Sequence, residues 1–377
     1  MNFDRTEEQR LFAASIERFV ERGYDFDARR RIIASHDGYS RDVWAAFADL
    51  GALGLPIASE FGGFGGGAAD IATVMETVGE SLIVEPFLST AIAARLVSLA
   101  GTPAQKETLL RPIAEGKLKM AFAHSEHGAR YNVTHVATRA HRSDADFVID
   151  GEKCVVLHSP CAEMLIVSAR LGGKDADKTG IALFIVKSDT PGISLAPYRT
   201  LDDLRAADIR FTGVRVSADS RLGAADDAAT LIEDVIDYAT ALVCAEAVGA
   251  IRYANGATLD YLKRRQQFGV PIGSFQALQH RMVDMAIEYE QAKSMATLAC
   301  ATVDAEIDPR QRARVVSAAK IRIADACRKV SQESVQLHGG MGMSDELKIS
   351  HTFRRLTMIA QRFGDADHHL ERLASLG

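Results

Sequence analysis

The stretch Arg265-Gln266-Gln267-Phe268-Gly269-Val270-Pro271-Ile272, followed by Phe275-Gln276, decides how the chain is read. Apolar-periodic sequence flanks it on both sides, so Gly269 and Pro271 mark a helix end, a turn and the start of the next helix. Such a turn projects a guanidinium, an aromatic ring and amides outward together. A bidentate guanidinium suits a diphosphate, a ring suits an adenine face, and an amide suits a polar sugar edge. An ordinary helix hairpin with a solvated arginine satisfies the same residues.

Beyond the turn, Phe275, Leu278, Met282, Met285, Tyr289, Ala292, Ala296 and Ala299 advance in steps of three and four, which predicts one long helix. Asp308-Pro309 reads as an N-cap followed by proline at the first helical position, and Gly339-Gly340 as the stop of that next helix. Between Lys119 and Gly223 the texture is short β-rich runs at 121–124, 147–149, 154–157, 164–169, 181–186 and 209–216. Asp150-Gly151 between two of them predicts a hairpin turn. From Thr6 to about Ala114 the pattern is helical, with Leu11, Ala14, Ile16 and Phe19, then Trp44, Phe47 and Leu50, at helical spacing. The fold class expected is α+β, in three segments: an all-α one over 1–118, a β one over 119–223 and a helical bundle over 224–377.

The 377 residues are 47% hydrophobic and 25% charged, the balance of a globular chain with a full core. A net charge of -6 without a dense Lys/Arg block argues against nucleic acid as partner. The charged start MNFDRTEEQR does not read as a signal peptide, and no apolar run reaches the roughly 20 residues of a membrane span. Cys154, Cys161, Cys244, Cys300 and Cys327 are scattered and lack a C-x-x-C, so neither disulfides nor zinc is expected. The expectation is a soluble protein of the cytoplasm. The run GGFGGG at 62–67 loosely matches a dinucleotide fingerprint, but a helical region rather than a strand precedes it, so it reads as a loop. His338 and His351 lack partners at metal spacing, and Asp365, Asp367, His368 and His369 read as the acidic opening of a C-terminal helix; no metal is expected. Glu246 is the only charge in 238–251. It reads either as a buried catalytic carboxylate or as a structural one paired with an arginine of a neighbouring helix.

These features resemble the acyl-CoA dehydrogenase family of flavoproteins. The opening Phe3-Asp4-Arg5-Thr6-Glu7-Glu8-Gln9-Arg10 is similar to its N-terminal helix. The Arg265 turn matches its flavin-diphosphate hairpin, and Gln336-Leu337-His338-Gly339-Gly340-Met341-Gly342 matches its Q-x-x-G-G-x-G turn. The resemblance spans essentially the whole chain. It implies a β-barrel middle domain, a C-terminal four-helix bundle, FAD, a tetramer, and α,β-dehydrogenation of an acyl-CoA with electrons passed to an electron-transferring flavoprotein. It also implies FAD contacts from Arg265, Phe268, Gln276, Gln336, Gly339 and Gly340.

The chain departs from the family where the chemistry is done. A carboxylate must take the thioester's α-proton while the flavin accepts the β-hydride. The two positions at which family members place that glutamate fall on Phe363 and Ala239. Glu246 lies seven residues after Ala239, on the same helix face but about 10 Å along the axis. The family's T-E-P-G-x-G-S-D is Ser125-Glu126-His127-Gly128-Ala129-Arg130-Tyr131-Asn132 here, and its G-x-K-x-W-I-T-N is Gly151-Glu152-Lys153-Cys154-Val155-Val156-Leu157-His158. In the family each flavin lies between two subunits, and this chain keeps the residues a neighbour lends while losing most of the owner's. The expected function is therefore acyl-CoA dehydrogenation as one subunit of a heteromer, closest in character to the small subunit of bacterial heteromeric enzymes such as pimeloyl-CoA dehydrogenase. The alternatives are a homotetramer with Glu246 as base, or a scaffold that binds a partner or a CoA ester without turnover.

Overall fold

The computed structural model describes residues 6–223 and 228–376. Phe3-Asp4-Arg5 of the opening motif and the segment boundary at Ala224 lie outside the described residues. In chain order the elements are α1 (Glu7–Gly23), α2 (Phe26–Ala34), α3 (Arg41–Asp49), α4 (Ala68–Ser81), α5 (Phe87–Ala100) and α6 (Pro103–Ala114). Seven strands follow: β1 (Met120–Ala123), β2 (Arg139–Ser143), β3 (Asp146–Leu157), β4 (Met164–Arg170), β5 (Ile181–Lys187), β6 (Ile193–Arg199) and β7 (Arg205–Val216). The rest is α7 (Ala229–Arg264), β8 (Gln266–Gln267), β9 (Val270–Pro271), α8 (Gln276–Val303), α9 (Pro309–His338), α10 (Lys348–Gln361) and α11 (Ala366–Ser375). Two compact units result, one from Met1–Arg31, Ala68–Ile83 and Asp237–Gly377, the other from Ile32–Gly67 and Val84–Ile236.

The first unit is helical. A capping box opens α1: Gln9 N donates to Thr6 Oγ1 at 3.2 Å and Thr6 N to Gln9 Oε1 at 2.9 Å. α1 packs on α4, and α4 meets α7 through glycines. A Cβ on Gly79 would stand 1.8 Å from Glu246 O, and one on Gly249 1.8 Å from Glu76 O, so the two backbones touch where hydrogen replaces a side chain. Asn255 Nδ2 donates to Met285 O at 3.0 Å and Cys300 Sγ to Ala241 O at 3.5 Å, which sets α8 antiparallel to α7. α8 buries Met285, Ala292, Ala296 and Ala299 of the expected stripe, whereas Phe275, just ahead of the helix, is exposed. α9 starts at Pro309 with Asp308 accepting from Arg310 N and ends against Gly339, and it carries α10 and α11 on its flank.

In the second unit, the strands run in the order β1-β4-β2-β3-β7-β6, with β5 on β4. Pairing is antiparallel apart from β1 with β4 and a single β2–β4 pair. All the strands wrap one core around Phe147, Ile149, Leu165, Val167, Phe184, Ile209 and Phe211. Among the described residues no ladder joins β6 to β1 or β5, so the expected barrel is a barrel in its core and an open sheet in its hydrogen bonding. The expected hairpin at Asp150-Gly151 is a second correction. β3 runs straight through both residues, with a register shift against β7 between Ile149 and Gly151. Gly151, at φ 145, lies so close to Thr138 that a Cβ would meet its Cα at 2.6 Å, and Asp150 Oδ1 accepts from Gly213 N at 2.7 Å. The hairpin turn is two residues at Asp144-Ala145, where Asp144 has φ 59. In the same unit α5 packs on α6 and β1, and Trp44 Nε1 of α3 donates to Gly116 O at 2.8 Å.

Candidate functional site

α7 ends where Arg265 N donates to Tyr261 O at 2.8 Å, and Ile272 N closes the loop onto Arg265 O at 2.8 Å. Gln266 pairs with Pro271 and Gln267 with Val270, leaving Phe268-Gly269 as a two-residue turn. Both turn residues have positive φ, 56° and 81°. That is the backbone a tight hairpin wants. Glycine adopts it freely, while a phenylalanine there costs about 1 kcal/mol. The ring on this strained backbone is 91% exposed and makes an edge contact to Phe275 at 6.1 Å. Arg265 and Gln276 are exposed, and among the described residues their side chains make no hydrogen bond or ion pair.

At the end of α9, Gly339 takes φ 61 and ψ -146, a combination reserved to glycine. Gly342 tightens the turn, since a Cβ there would stand 2.5 Å from Val335 O. Cβ atoms built on Gly339, Gly340 or Gly269 meet nothing within 4 Å. Gln336 is exposed, and His338 turns inward, donating from Nδ1 to Ser334 O at 2.7 Å. Its ring stacks on Tyr261 at 4.5 Å, which brings Arg265, Phe268 and Gln276 to the same end of the bundle as Gln336, Gly339 and Gly340. Open glycine backbone beside an uncommitted guanidinium fits a diphosphate.

No carboxylate stands at either expected base position. Ala239 is fully buried. Phe363 has φ 57 and sits in a fastened loop, where Lys320 Nζ donates to Ile359 O, Ala360 O and Gly364 O at 2.9, 3.0 and 2.8 Å. His369 Nε2 donates to Phe363 O at 3.0 Å. Burial brings Lys320 down to about 8, and burial together with the Lys320 charge brings His369 down to about 3. Asp365 caps α11 through His368 N, and among the described residues no group of three His, Cys, Asp or Glu could hold a metal. Glu246 is 1% exposed, taking Arg355 Nη1 on Oε1 at 2.6 Å and Arg362 Nη1 on Oε2 at 3.4 Å. Both oxygens of Glu246 therefore accept from guanidiniums, which is the pairing that its structural reading expects.

In the second unit Glu126 is buried and accepts from Ala137 N, Thr138 N, Thr138 Oγ1 and Lys153 Nζ, at 2.6, 3.0, 2.7 and 2.7 Å. Lys153 also donates to Ser168 Oγ at 2.9 Å, and burial brings it down to about 8. Beside them His124 is pushed to about 3, by burial first and then by the Lys153 charge. Val155, where the family carries a stacking ring, sits on a bulge at φ 52, an outlier for a β-branched residue. Its N–H donates to Asp208 Oδ1 at 2.9 Å, and Tyr198 OH donates to the same oxygen at 2.9 Å. Leu157 packs with Ile33, Val84 and Leu204. Aliphatic Val155 and Leu157 thus stand where the family carries its stacking ring and hydroxyl, the Val155 amide is already bonded, and the ring beside it is that of Tyr198, whose hydroxyl Asp208 holds. Asp208 gave no signal in the sequence, because it reaches Val155 only across the β3–β7 ladder.

The GGFGGG run is a loop behind a single 3-10 turn at Ser59–Phe61. Among the described residues no helix is long and apolar enough to cross a membrane.

The acyl-CoA dehydrogenase N-terminal, middle and C-terminal domains match residues 6–117, 121–214 and 229–375. The chain belongs to the acyl-CoA dehydrogenase family. Its members are FAD-dependent flavoproteins, and those named acyl-CoA dehydrogenases act on CH–CH bonds of acyl-CoA. Acyl-CoA dehydrogenase FadE12 of Mycobacterium tuberculosis is 32% identical over 328 residues, 85% of this chain and 84% of that protein. Among solved structures, a variant of the Tcur3481-Tcur3483 steroid ACAD is 27% identical with TM-score 0.87, covering 98% of this chain and 97% of its own. An FAD-dependent dehydrogenase is 25% identical with TM-score 0.88, covering 100% and 99%.

Proposed function

We propose that this acyl-CoA dehydrogenase family chain works as one subunit of a heteromer, lending the diphosphate side of a flavin site to a catalytic partner. Its character is that of the small subunit of enzymes such as pimeloyl-CoA dehydrogenase. Its domains are 1–118, 119–223 and 224–377, and its location is the cytoplasm. FAD, when bound, supplies the hydride acceptor for α,β-dehydrogenation. Arg265 grips the diphosphate, and the open backbone at Gly339 and Gly340 lets it approach. Phe268, Gln276 and Gln336 face the nucleotide, while the partner contributes the base and the surface under the flavin ring. The substrate is an acyl-CoA, the assembly a tetramer, and the electron acceptor an electron-transferring flavoprotein.

The observation that carries this reading is the absence of a free carboxylate at Phe363 and Ala239, with Glu246 tied to Arg355 and Arg362. That a 27%-identical steroid ACAD bears a two-part name is consistent with it. The test is the visible spectrum of the chain purified alone and after co-expression with a second dehydrogenase chain. Colourless protein alone and flavin in the pair is the expected result, with Arg265→Ala releasing flavin from the pair. Stoichiometric FAD and turnover from this chain alone would overturn it.

A further inference from the structure

We infer that the stacked pair Tyr261 and His338 is a clasp that holds the Arg265 hairpin and the 336–340 turn in register for one flavin diphosphate, making both positioning residues. This rests on the function proposed above. The hairpin hangs from the last turn of α7 by Arg265 N to Tyr261 O, and the glycine turn hangs from the last turn of α9. Among the described residues no hydrogen bond or ion pair joins 265–276 to 336–343. Between the two helix ends stands the ring pair, with centroids 4.5 Å apart and planes at 28°. One step further into the bundle Arg281 Nε donates to Glu333 Oε2 at 2.5 Å, a half-exposed tie between α8 and α9 that salt screens.

His338 is built for this place. Ser334 O fixes its ring through Nδ1, and it is 6% exposed. Burial lowers its pKa, so the ring that meets Tyr261 at neutral pH is the uncharged imidazole. Two ligand-facing segments distant in sequence bind one diphosphate well only if their spacing is set beforehand; otherwise binding bears the cost of ordering them. A ring stack sets that spacing without using any polar group that faces the ligand.

The test measures FAD affinity of the flavin-loaded assembly, by flavin fluorescence on dilution, and thermal stability of the flavin-free protein alongside. Tyr261→Leu should weaken FAD binding about three- to tenfold, the cost of ordering on binding a segment that the stack no longer holds. Tyr261→Phe, which keeps the ring, should hold wild-type affinity. His338→Asn keeps a donor for Ser334 O without the ring and should behave like Tyr261→Leu. Arg265→Ala is the benchmark and should lose more. Flavin lost with Arg265→Ala but kept at full affinity by both Tyr261→Leu and His338→Asn would overturn the clasp and leave the proposed function standing. Unchanged affinity in Arg265→Ala, or an assembly that never holds flavin, would overturn both.

Discussion

The end of the bundle that carries Arg265 and the surface that carries Val155 treat their polar groups in opposite ways. At the first, Arg265, Gln276 and Gln336 have no side-chain partner among the described residues, Phe268 is 91% exposed in a strained turn, and the glycines face open space. At the second, Val155 N and Tyr198 OH are bonded to Asp208, and Glu126 and Lys153 to one another. Both surfaces carry backbone strain, at Phe268 and at Val155. Only the first leaves strained and polar groups together without an internal partner, which is how a chain looks when something outside it completes the site.

The comparison can be broken most forcefully at the buried pair. Lys153→Met strands Glu126 in the core, and the cost should be about 3–5 kcal/mol in urea unfolding. A cost below about 1 kcal/mol would mean that the pair does not organise this surface. Glu246→Gln comes next. Losing the charge between Arg355 and Arg362 should lower stability by about 2 kcal/mol while turnover per flavin in the assembly stays the same. Abolished turnover at full stability would instead make Glu246 the base. Acid should then act on both units at once. His124 and His369 sit near 3 when folded against 6.5 ordinarily, so between those values the unfolded chain binds up to about two more protons. Stability should therefore fall as pH drops below 6.5, and the urea midpoint of the His124→Gln/His369→Gln variant should depend less on pH. The smallest effect is Val155→Gly. Relief of positive φ exceeds the added chain entropy only slightly, so a gain of about 0.5 kcal/mol is expected in the same assay.

Features written in neighbouring residues are legible in the sequence itself. Asp308-Pro309 and Gly339 bound α9 through chemistry acting within one turn, and the Arg265 hairpin closes through residues three to seven positions apart. Asp150-Gly151 misled because its glycine serves close approach to Thr138, while the actual turn uses the weaker signal Asp144-Ala145. β2 and β6 are the weak signals, since RAHRS has a single apolar residue and the alternation of ISLAPYR stops after Ile193 and Leu195. In the candidate site, the hairpin and turn residues were readable as motifs. The Arg355 and Arg362 partners of Glu246, the Lys320 hold on the Phe363 loop and the Asp208 bond to Val155 were not, because each joins segments that only folding brings together.

The glycine contact between α4 and α7 has a consequence for how this sequence can vary. Gly79 and Gly249 carry no side chain for chemistry, yet each lies against the other helix's carbonyl with room for a hydrogen only. Even alanine would wedge the helices apart, and the Glu246 carbonyl that meets Gly79 belongs to the residue gripped by Arg355 and Arg362. In a library of random substitutions these two positions should be as intolerant as any in the chain, an invariance that reports the fit of two backbones rather than chemistry.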